Sequence, residues 1–218
     1  MRKFVFVMSL MVGFIVTQIF TAKNVFAEKV PDEEKVQVAV VIIANDPAFK
    51  SEYYAKMAKK SFEKAVNKKR NVFDSALRDI TGDYSKNKSV NIIASDVILN
   101  KFQNYLEDKG IDQSKRTNKK TFIDFVNYGN YDTVIYLVVD DPIIDTNGDA
   151  ATTNNTVVIK SHITYDTSLT VNGFLVDREK VLTRFSTTRN WTGNRLAAKH
   201  GAFDECVRSI SKEFNPML

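Results

Sequence analysis

The chain has 218 residues, a formal net charge of +5 and one cysteine, Cys206, so an intramolecular disulfide is excluded. Residues 1–27 contain three of the 31 basic residues and no acidic one, which leaves 28 basic and 26 acidic residues, a charge of +2, in the rest. So small a charge gives little long-range steering and argues against nucleic-acid binding.

The first 27 residues have the pattern of a secretory signal peptide. Arg2 and Lys3 precede an uncharged run, Phe4–Phe20, and Val25-Phe26-Ala27 places a branched and a small residue at positions −3 and −1 of a cleavage site. An uncleaved anchor is the alternative. Polar residues interrupt the run, however, and it is shorter than the roughly 20 apolar residues that a spanning helix needs. No cysteine lies near the site, so lipid attachment there is not expected.

We therefore predict an exported protein, periplasmic or extracellular in a bacterium, that contacts a membrane peripherally at most. Residues 28–35 are charged and contain a proline, which indicates a lead-in tether between the cleavage site and the domain. The 183 or so residues of 36–218 are enough for one domain with its own hydrophobic core.

The first part of this domain alternates strands and helices. Val36–Ala44 is apolar at nearly every position and predicts a central strand covered on both faces. Ser51–Lys68 has an apolar stripe flanked by lysines, which predicts an amphipathic helix capped by its first residue. Residues 70–89 are polar and weakly patterned, with room for one short helix, and Val90–Ala94 predicts a short strand.

Two further helices lead to a second apolar strand. Ser95 or Asp96 can cap a helix that ends at Gly110, since glycine often follows the last helical residue. A short helix that starts near Thr121 and a glycine turn come next. Tyr131–Val139 then predicts a second buried strand.

The last third of the chain predicts mainly strands. A loop, Asp140–Asn155, precedes three of them, at Thr156–Tyr165, Ser168–Val176 and Val181–Asn190. Asn172-Gly173 is one candidate hairpin turn, but we favour a turn at Asp177–Lys180 because the strand lengths then match.

Arg195–Phe214 predicts a closing helix. Its apolar face is predicted to contain Leu196, Phe203, Val207, Ile210 and Phe214. The order is therefore β-α-β-α-α-β, then an antiparallel β-meander, then a C-terminal helix. This order predicts an α/β (α+β) fold with a mixed sheet on which the last helix packs.

Several of these segments resemble the amino-terminal domain of TolB and the curli-secretion lipoprotein CsgG, which share an anticodon-binding-like α/β fold. The resemblance rests on Lys35-Val-x-Val-Ala-Val-Val, on Leu-x-x-x-Gly-Ile ending at Ile111, on Phe122-Ile-Asp-Phe-Val-x-Tyr-Gly-x-Tyr131-Asp-Thr-Val-Ile-Tyr-Leu, and on Leu175-Val-Asp177-x-x-x-Val-Leu182. The chain departs from the family in lacking the lipidated cysteine, in its long 70–89 segment and in its Ile43-Ala44-Asn45. The resemblance implies protein–protein contact and assembly in the envelope without chemistry, and carries over no functional residue.

A candidate metal site lies in the Asp140–Asn155 loop. Asp145, Asn147 and Asp149 alternate as oxygen ligands do in a calcium loop, and Asp140 or Asp141 could add a carboxylate from the other side. Position 12, counted from the first of these acids, is a threonine rather than a bidentate acid. A solvated turn, where Asp, Asn and Gly are common, is the alternative.

Two basic clusters are candidates for contact with an anionic lipid or cell-surface polymer. One lies on the first helix and the other on the segment before Thr121; the residues we single out are Lys59, Lys60, Lys64, Lys119 and Lys120. Lysines on the polar face of a helix are commonly only solvated, so a solvated helix face is the alternative to contact with an anionic surface.

Other chemistry has weaker support. Cys206 is expected to be a small buried hydrophobe, because no histidine is spaced to activate it, and His162 is expected to be a strand residue. The main hypothesis is a non-enzymatic, cofactor-free envelope module that binds a protein partner. The alternatives are a small hydrolase that uses calcium or zinc in the Asp140–Asp149 loop and a surface polymer or anionic-lipid binder that uses the lysines.

Overall fold

The computed structural model describes residues 35–81, 90–147, 151–153, 156–158 and 163–214. The strands in these residues are β1 (Val36–Ala44), β2 (Val90–Ile93), β3 (Thr133–Val139), β4 (Ile143–Asn147), β5 (Ala151–Thr153), β6 (Thr156–Val158), β7 (Thr164–Asp177) and β8 (Val181–Gly193). The α-helices are α1 (Glu52–Thr81), α2 (Asp96–Asp108), α3 (Lys119–Gly129) and α4 (Arg195–Glu213). The predicted signal peptide, residues 1–27, and the tether up to residue 34 lie outside the described residues.

The main sheet is mixed. Its order begins β2-β1-β3, and these three strands are parallel. β7 is antiparallel to β3 through Val171–Asp177 and to β4 through Thr164–Ser168, so β3 and β4 lie end to end along one side of β7. β8 pairs with the other side of β7 along almost its whole length. β5 and β6 form a separate two-stranded sheet.

Helices cover both faces of this sheet. Alternate residues of β1 belong to two cores: Val38, Val40 and Ile42 face α1 and α4, while Val41 and Ile43 face α2 and α3. β1 is therefore buried on both faces, which explains its continuous apolar run. The predicted α/β class, with a mixed sheet and a C-terminal helix packed on it, is confirmed.

Specific contacts fix the helices on the sheet. On one face, the Tyr136 hydroxyl donates a 2.8 Å hydrogen bond to the Phe122 carbonyl and so joins β3 to α3. On the other face, a Cβ atom on Gly173 would lie 2.7 Å from the Ile210 side chain, so glycine allows α4 to pack closely on β7.

The hairpin between β7 and β8 turns where the sequence predicted. The Asp177 carboxylate accepts hydrogen bonds from the N–H groups of Glu179 and Lys180 at 2.8 and 2.7 Å, and the Asp177 N–H donates to the Lys180 carbonyl. Asn172-Gly173, the competing turn, lies inside β7.

Two element predictions were wrong. The first helix does not end at Lys68 but continues to Thr81, because residues 69–81 contain neither glycine nor proline and their apolar residues recur at helical spacing. The predicted loop Asp140–Asn155 contains β4, which the sequence hides because its Asp, Thr and Asn residues lie on an exposed edge and show no apolar alternation. The predicted strand Thr156–Tyr165 is described only as β6 and the start of β7.

Candidate functional site

A pocket of about 530 Å³ opens just beyond the carboxyl end of β1. It lies between the first turns of α1 and α4. Its lining residues are Ala48, Ser51, Tyr53, Tyr54, Arg195, Leu196, Lys199 and His200.

The fold itself makes this end of the sheet a place for a pocket. The connection from β1 to β2 runs through α1 on one face of the sheet, and the connection from β2 to β3 runs through α2 and α3 on the other. The pocket lies outside the carboxyl end of β1, and open α/β sheets commonly bind ligands outside the carboxyl ends of their strands.

The segment after β1 is held by Asp46. Its carboxylate accepts a 2.9 Å hydrogen bond from the Ala48 N–H and so caps a 3-10 turn at Pro47–Lys50 that leads into α1. The same carboxylate is 2.6 Å from the Lys199 ammonium of α4. The hydrogen bond from Lys199, followed by that from Ala48, lowers the pKa of Asp46 below its ordinary value of 3.8. The pair therefore joins the start of α4 to the end of β1.

Aromatic side chains form the wall and floor of the pocket. Tyr53 is 52% exposed and stacks on the His200 ring with centroids 4.4 Å apart. Tyr54 is buried, and its ring centroid lies 5.2 Å from that of His200 and 4.9 Å from those of Phe49 and Phe203. Burial lowers the pKa of His200 below 6.5, so this ring is neutral at pH 7. The wall thus continues directly into the hydrophobic core.

The Tyr54 hydroxyl has no hydrogen-bond partner among the residues that the structure describes. Burial, as the largest cause, raises the pKa of Tyr54 to about 12, so the group is a neutral hydroxyl. A buried polar group that lacks a partner costs about 1–3 kcal/mol, and among the described residues only the Thr167 hydroxyl shares this state with Tyr54.

The rim of the pocket corrects one prediction. Leu196 was expected on the buried face of the last helix, but it is 62% exposed because it lies in the first turn of α4, at the pocket. Arg195 beside it is also exposed, and its charge acts on the Asp46 carboxylate more weakly than that of Lys199 does. An aliphatic side chain and a second cation, beside the one that pairs with Asp46, therefore lie together at the entrance.

The candidate metal ligands occupy different surroundings. Asp145 and Asn147 lie in β4, where Asp145 is directly opposite Asp166 of β7, and Asn147 donates a 2.5 Å hydrogen bond to the Asp166 carboxylate. Asp149 lies outside the described residues. Elsewhere, Asn172 donates to Asp140 and Asn45 donates to Asp141, at 3.4 and 3.2 Å. No group of three or more His, Cys, Asp or Glu residues that could hold a metal ion occurs in the described part of the chain.

The structure does not bring the two basic clusters together. Lys59, Lys60 and Lys64 are on α1, and Lys119 and Lys120 begin α3, on the opposite side of the sheet. Lys59 also has Glu63 at 3.8 Å, an ion pair that offsets part of the charge. Neither cluster borders the pocket.

Cys206 is buried against the sheet, as the sequence predicted. Its thiol donates to the Leu169 carbonyl at 3.4 Å, and burial raises its pKa to about 11, so it is not a thiolate at neutral pH. His162 lies outside the described residues.

The sequence did not reveal the pocket. Its residues come from two segments, 46–54 and 195–200, that are far apart in the chain. The available signals were an Asn-Asp-Pro turn after a buried strand and a helix that begins with Arg-Leu, and neither specifies its partner segment.

No protein-family model matches the sequence, and no curated protein matches it. Solved structures with similar folds include the lipoprotein GNA1162 from Neisseria meningitidis, with 12% identity, a TM-score of 0.36 and coverage of 82% of this chain and 96% of that one. The PelC dodecamer from Paraburkholderia phytofirmans has 12% identity, a TM-score of 0.31 and coverage of 85% and 89%. A neuraminyllactose-binding hemagglutinin homolog from Helicobacter pylori has 12% identity, a TM-score of 0.31 and coverage of 85% of each chain. Similarities this low assign no function.

Among the described residues, no helix is both long enough and apolar enough to cross a bilayer.

Proposed function

We propose that this chain is an exported, non-enzymatic module that binds a protein partner in the cell envelope and that the pocket at the end of β1 is its recognition site. The signal-peptide pattern supports export, and the resemblance to the TolB and CsgG domains supports a role in assembly. Calcium or zinc chemistry and polymer or anionic-lipid binding remain the alternatives; the described residues contain no group of three or more potential metal ligands.

One observation supports the proposal. The floor of the open pocket belongs to the hydrophobic core, and its rim is exposed and apolar. Tyr53 and Leu196 leave more than half of their surfaces in water although core aromatics lie beside them. Rigid, partly apolar surfaces with a few polar groups are typical of binding sites, because little conformational freedom is lost when a partner binds.

Cross-linking in the native envelope tests this function. Wild-type protein is expected to yield one reproducible protein adduct after mild chemical cross-linking. Leu196→Asp, which places a charge on the apolar rim, is expected to lower that yield at least fivefold. Val97→Asp is the matched control, because Val97 is 65% exposed on α2, on the other side of the sheet.

Two results would contradict the proposal. One is the absence of any protein adduct with the wild type when a known envelope complex is cross-linked in the same sample. The other is an adduct that both variants retain equally, which would place the interface away from the pocket. Capture of lipid or polymer alone would favour the lysine surfaces.

A further inference from the structure

The charges of the pocket are not balanced. Lys199 is paired with Asp46 at 2.6 Å, and only 16% and 23% of these two side chains are exposed. Arg195, one turn earlier on the same face of α4, acts on the same carboxylate only at longer range, so two cations share one carboxylate. The pocket therefore retains one positive charge, carried by a group suited to pairing with a carboxylate through two parallel hydrogen bonds.

Backbone groups at the start of α4 add to this positive character. The Asn194 side chain accepts the Ala197 N–H at 2.9 Å and the Asn194 carbonyl accepts the Ala198 N–H at 2.8 Å. The N–H groups of Arg195 and Leu196 have no partner among the described residues. The first N–H groups of a helix and its dipole both favour an anion at this end.

The Tyr54 hydroxyl is the second, independent sign of a ligand. Tyr54 lines the pocket, is only 2% exposed, and its hydroxyl lacks a partner among the described residues. The hydroxyl is closed to water in this structure, so a small rearrangement of the floor is needed before a ligand oxygen reaches it. Binding of such an oxygen would remove the cost of the unpaired group.

From these groups we infer that the pocket binds a carboxylate of the partner protein, carried beside an aromatic or branched apolar side chain. Arg195 pairs with the carboxylate, the Tyr54 hydroxyl donates to it, and the apolar part lies against Leu196 and the stacked Tyr53 and His200 rings. This inference rests on the proposed function, because it names the chemistry by which the partner is recognised. A volume of about 530 Å³ is large enough for one such residue.

Two small probes isolate the carboxylate. N-acetylphenylalanine has both the ring and the charge, and N-acetylphenylalanine amide has the ring alone. We expect the purified exported protein to bind the acid at least fivefold more tightly than the amide, with chemical-shift changes at Tyr53, Leu196 and His200. Equal affinities would overturn the inference. So would preferential binding of glucuronate, since its carboxylate is carried by a sugar.

Arg195→Gln tests the role of the cation. It is expected to weaken binding of the acid at least fivefold and to leave binding of the amide unchanged, an outcome that a general structural disturbance would not give. Arg184→Gln is the control, because it removes one exposed charge from β8, opposite Phe174 of the other core. Loss of binding in both variants would mean that only net charge matters and would overturn the inference.

Tyr54→Phe tests the hydroxyl and keeps the ring. It is expected to weaken binding of the acid about threefold or more without lowering thermal stability. Unchanged affinity would remove Tyr54 from the site and overturn its assigned role.

The two proposals fail in distinguishable ways. Binding of the acid probe by a protein that captures no envelope protein would leave the pocket chemistry standing and contradict the proposed function. A protein that captures a partner through Leu196 but binds the acid and the amide equally would support the proposed function. It would contradict the inferred pocket chemistry.

Discussion

The pocket and strand β4 both place charged side chains next to an exposed aliphatic one, but they differ in what supports them. Leu196 at the pocket is 62% exposed and Ile143 on β4 is 67% exposed. The pocket wall continues through Tyr54 to Phe203, which is fully buried, whereas β4 is exposed at four of its five positions. Similar exposure therefore marks a pre-organised surface in one place and a solvated sheet edge in the other.

The two regions also differ in their charges. At the pocket, a carboxylate and an ammonium from distant segments pair at 2.6 Å and one further cation is left over. On β4, Asp145 stands opposite Asp166, so like charges oppose each other, with only neutral donors such as Asn147 between them. The arrangement at the pocket favours binding of an anion, whereas the one on β4 contains, among the described residues, no opposite charge that would stabilise it.

The largest expected effect comes from the floor of the pocket. Phe203→Ala is expected to lower the free energy of unfolding by about 3–4 kcal/mol, because it opens a cavity beside Phe49 and Tyr54. Ile143→Ala on β4 is expected to cost less than about 0.5 kcal/mol. Urea denaturation of both variants measures the difference, and equal losses would show that the pocket is no better supported than the edge.

The Lys199–Asp46 pair should matter next. Lys199→Met is expected to lower stability by about 1–2 kcal/mol at pH 7, since a half-buried carboxylate loses its charged donor. The pKa of Asp46 is lowered in the folded state, so the contribution is full above pH 3.8 and is lost as the pH falls through the folded pKa. Urea midpoints from pH 7 to pH 2.5 should therefore converge for wild type and variant. A gap that persists at the lowest pH would mean that packing, not charge, supplies the effect.

Tyr54→Phe should be neutral or stabilising by up to about 1 kcal/mol, because it removes a buried hydroxyl that has no partner among the described residues. Calorimetric midpoints measure this. The control is Tyr136→Phe, which removes a hydroxyl that does have a partner, the Phe122 carbonyl, and is expected to destabilise by about 1 kcal/mol. Comparable losses in both variants would show that the Tyr54 hydroxyl is satisfied in solution.

The smallest effect is expected on β4. Asp145→Asn should stabilise the protein by a few tenths of a kcal/mol in calcium-free buffer, because it removes one of two like charges that face each other across β4 and β7. If calcium binds Asp145, Asn147 and Asp149, the same variant should instead abolish a rise in melting temperature on adding the ion. A measurement with and without calcium separates these outcomes.

Much of the fold could be predicted because its signals are local. The continuous apolar run of β1 reflects burial on both faces, and Asp177 caps its own turn. The length of α1 was missed because the many polar residues of 70–89 obscure the helical spacing of the apolar ones at 72, 73, 76, 77 and 80. β4 was missed because an exposed edge strand has no buried face to impose alternation.

The pocket could not be predicted in the same way. Tyr54 has the pattern of a core residue, and Leu196 falls on the predicted apolar face of α4. The ion pair between Asp46 and Lys199, 153 positions apart, and the aromatic contacts of Tyr53 and Tyr54 with α4 bring these segments to the same end of the sheet. The site therefore depends on long-range packing, for which the sequence offers no local mark.

The most direct test of a recognition surface at the pocket is site-specific photo-cross-linking in the native envelope. A photoreactive residue is placed at Leu196 in one sample and at Val97, equally exposed on the other side of the sheet, in another. The account predicts one protein adduct from position 196, reduced by the Arg195→Gln substitution, and none of the same mass from position 97. The same adduct from both positions, or from position 97 alone, would contradict it.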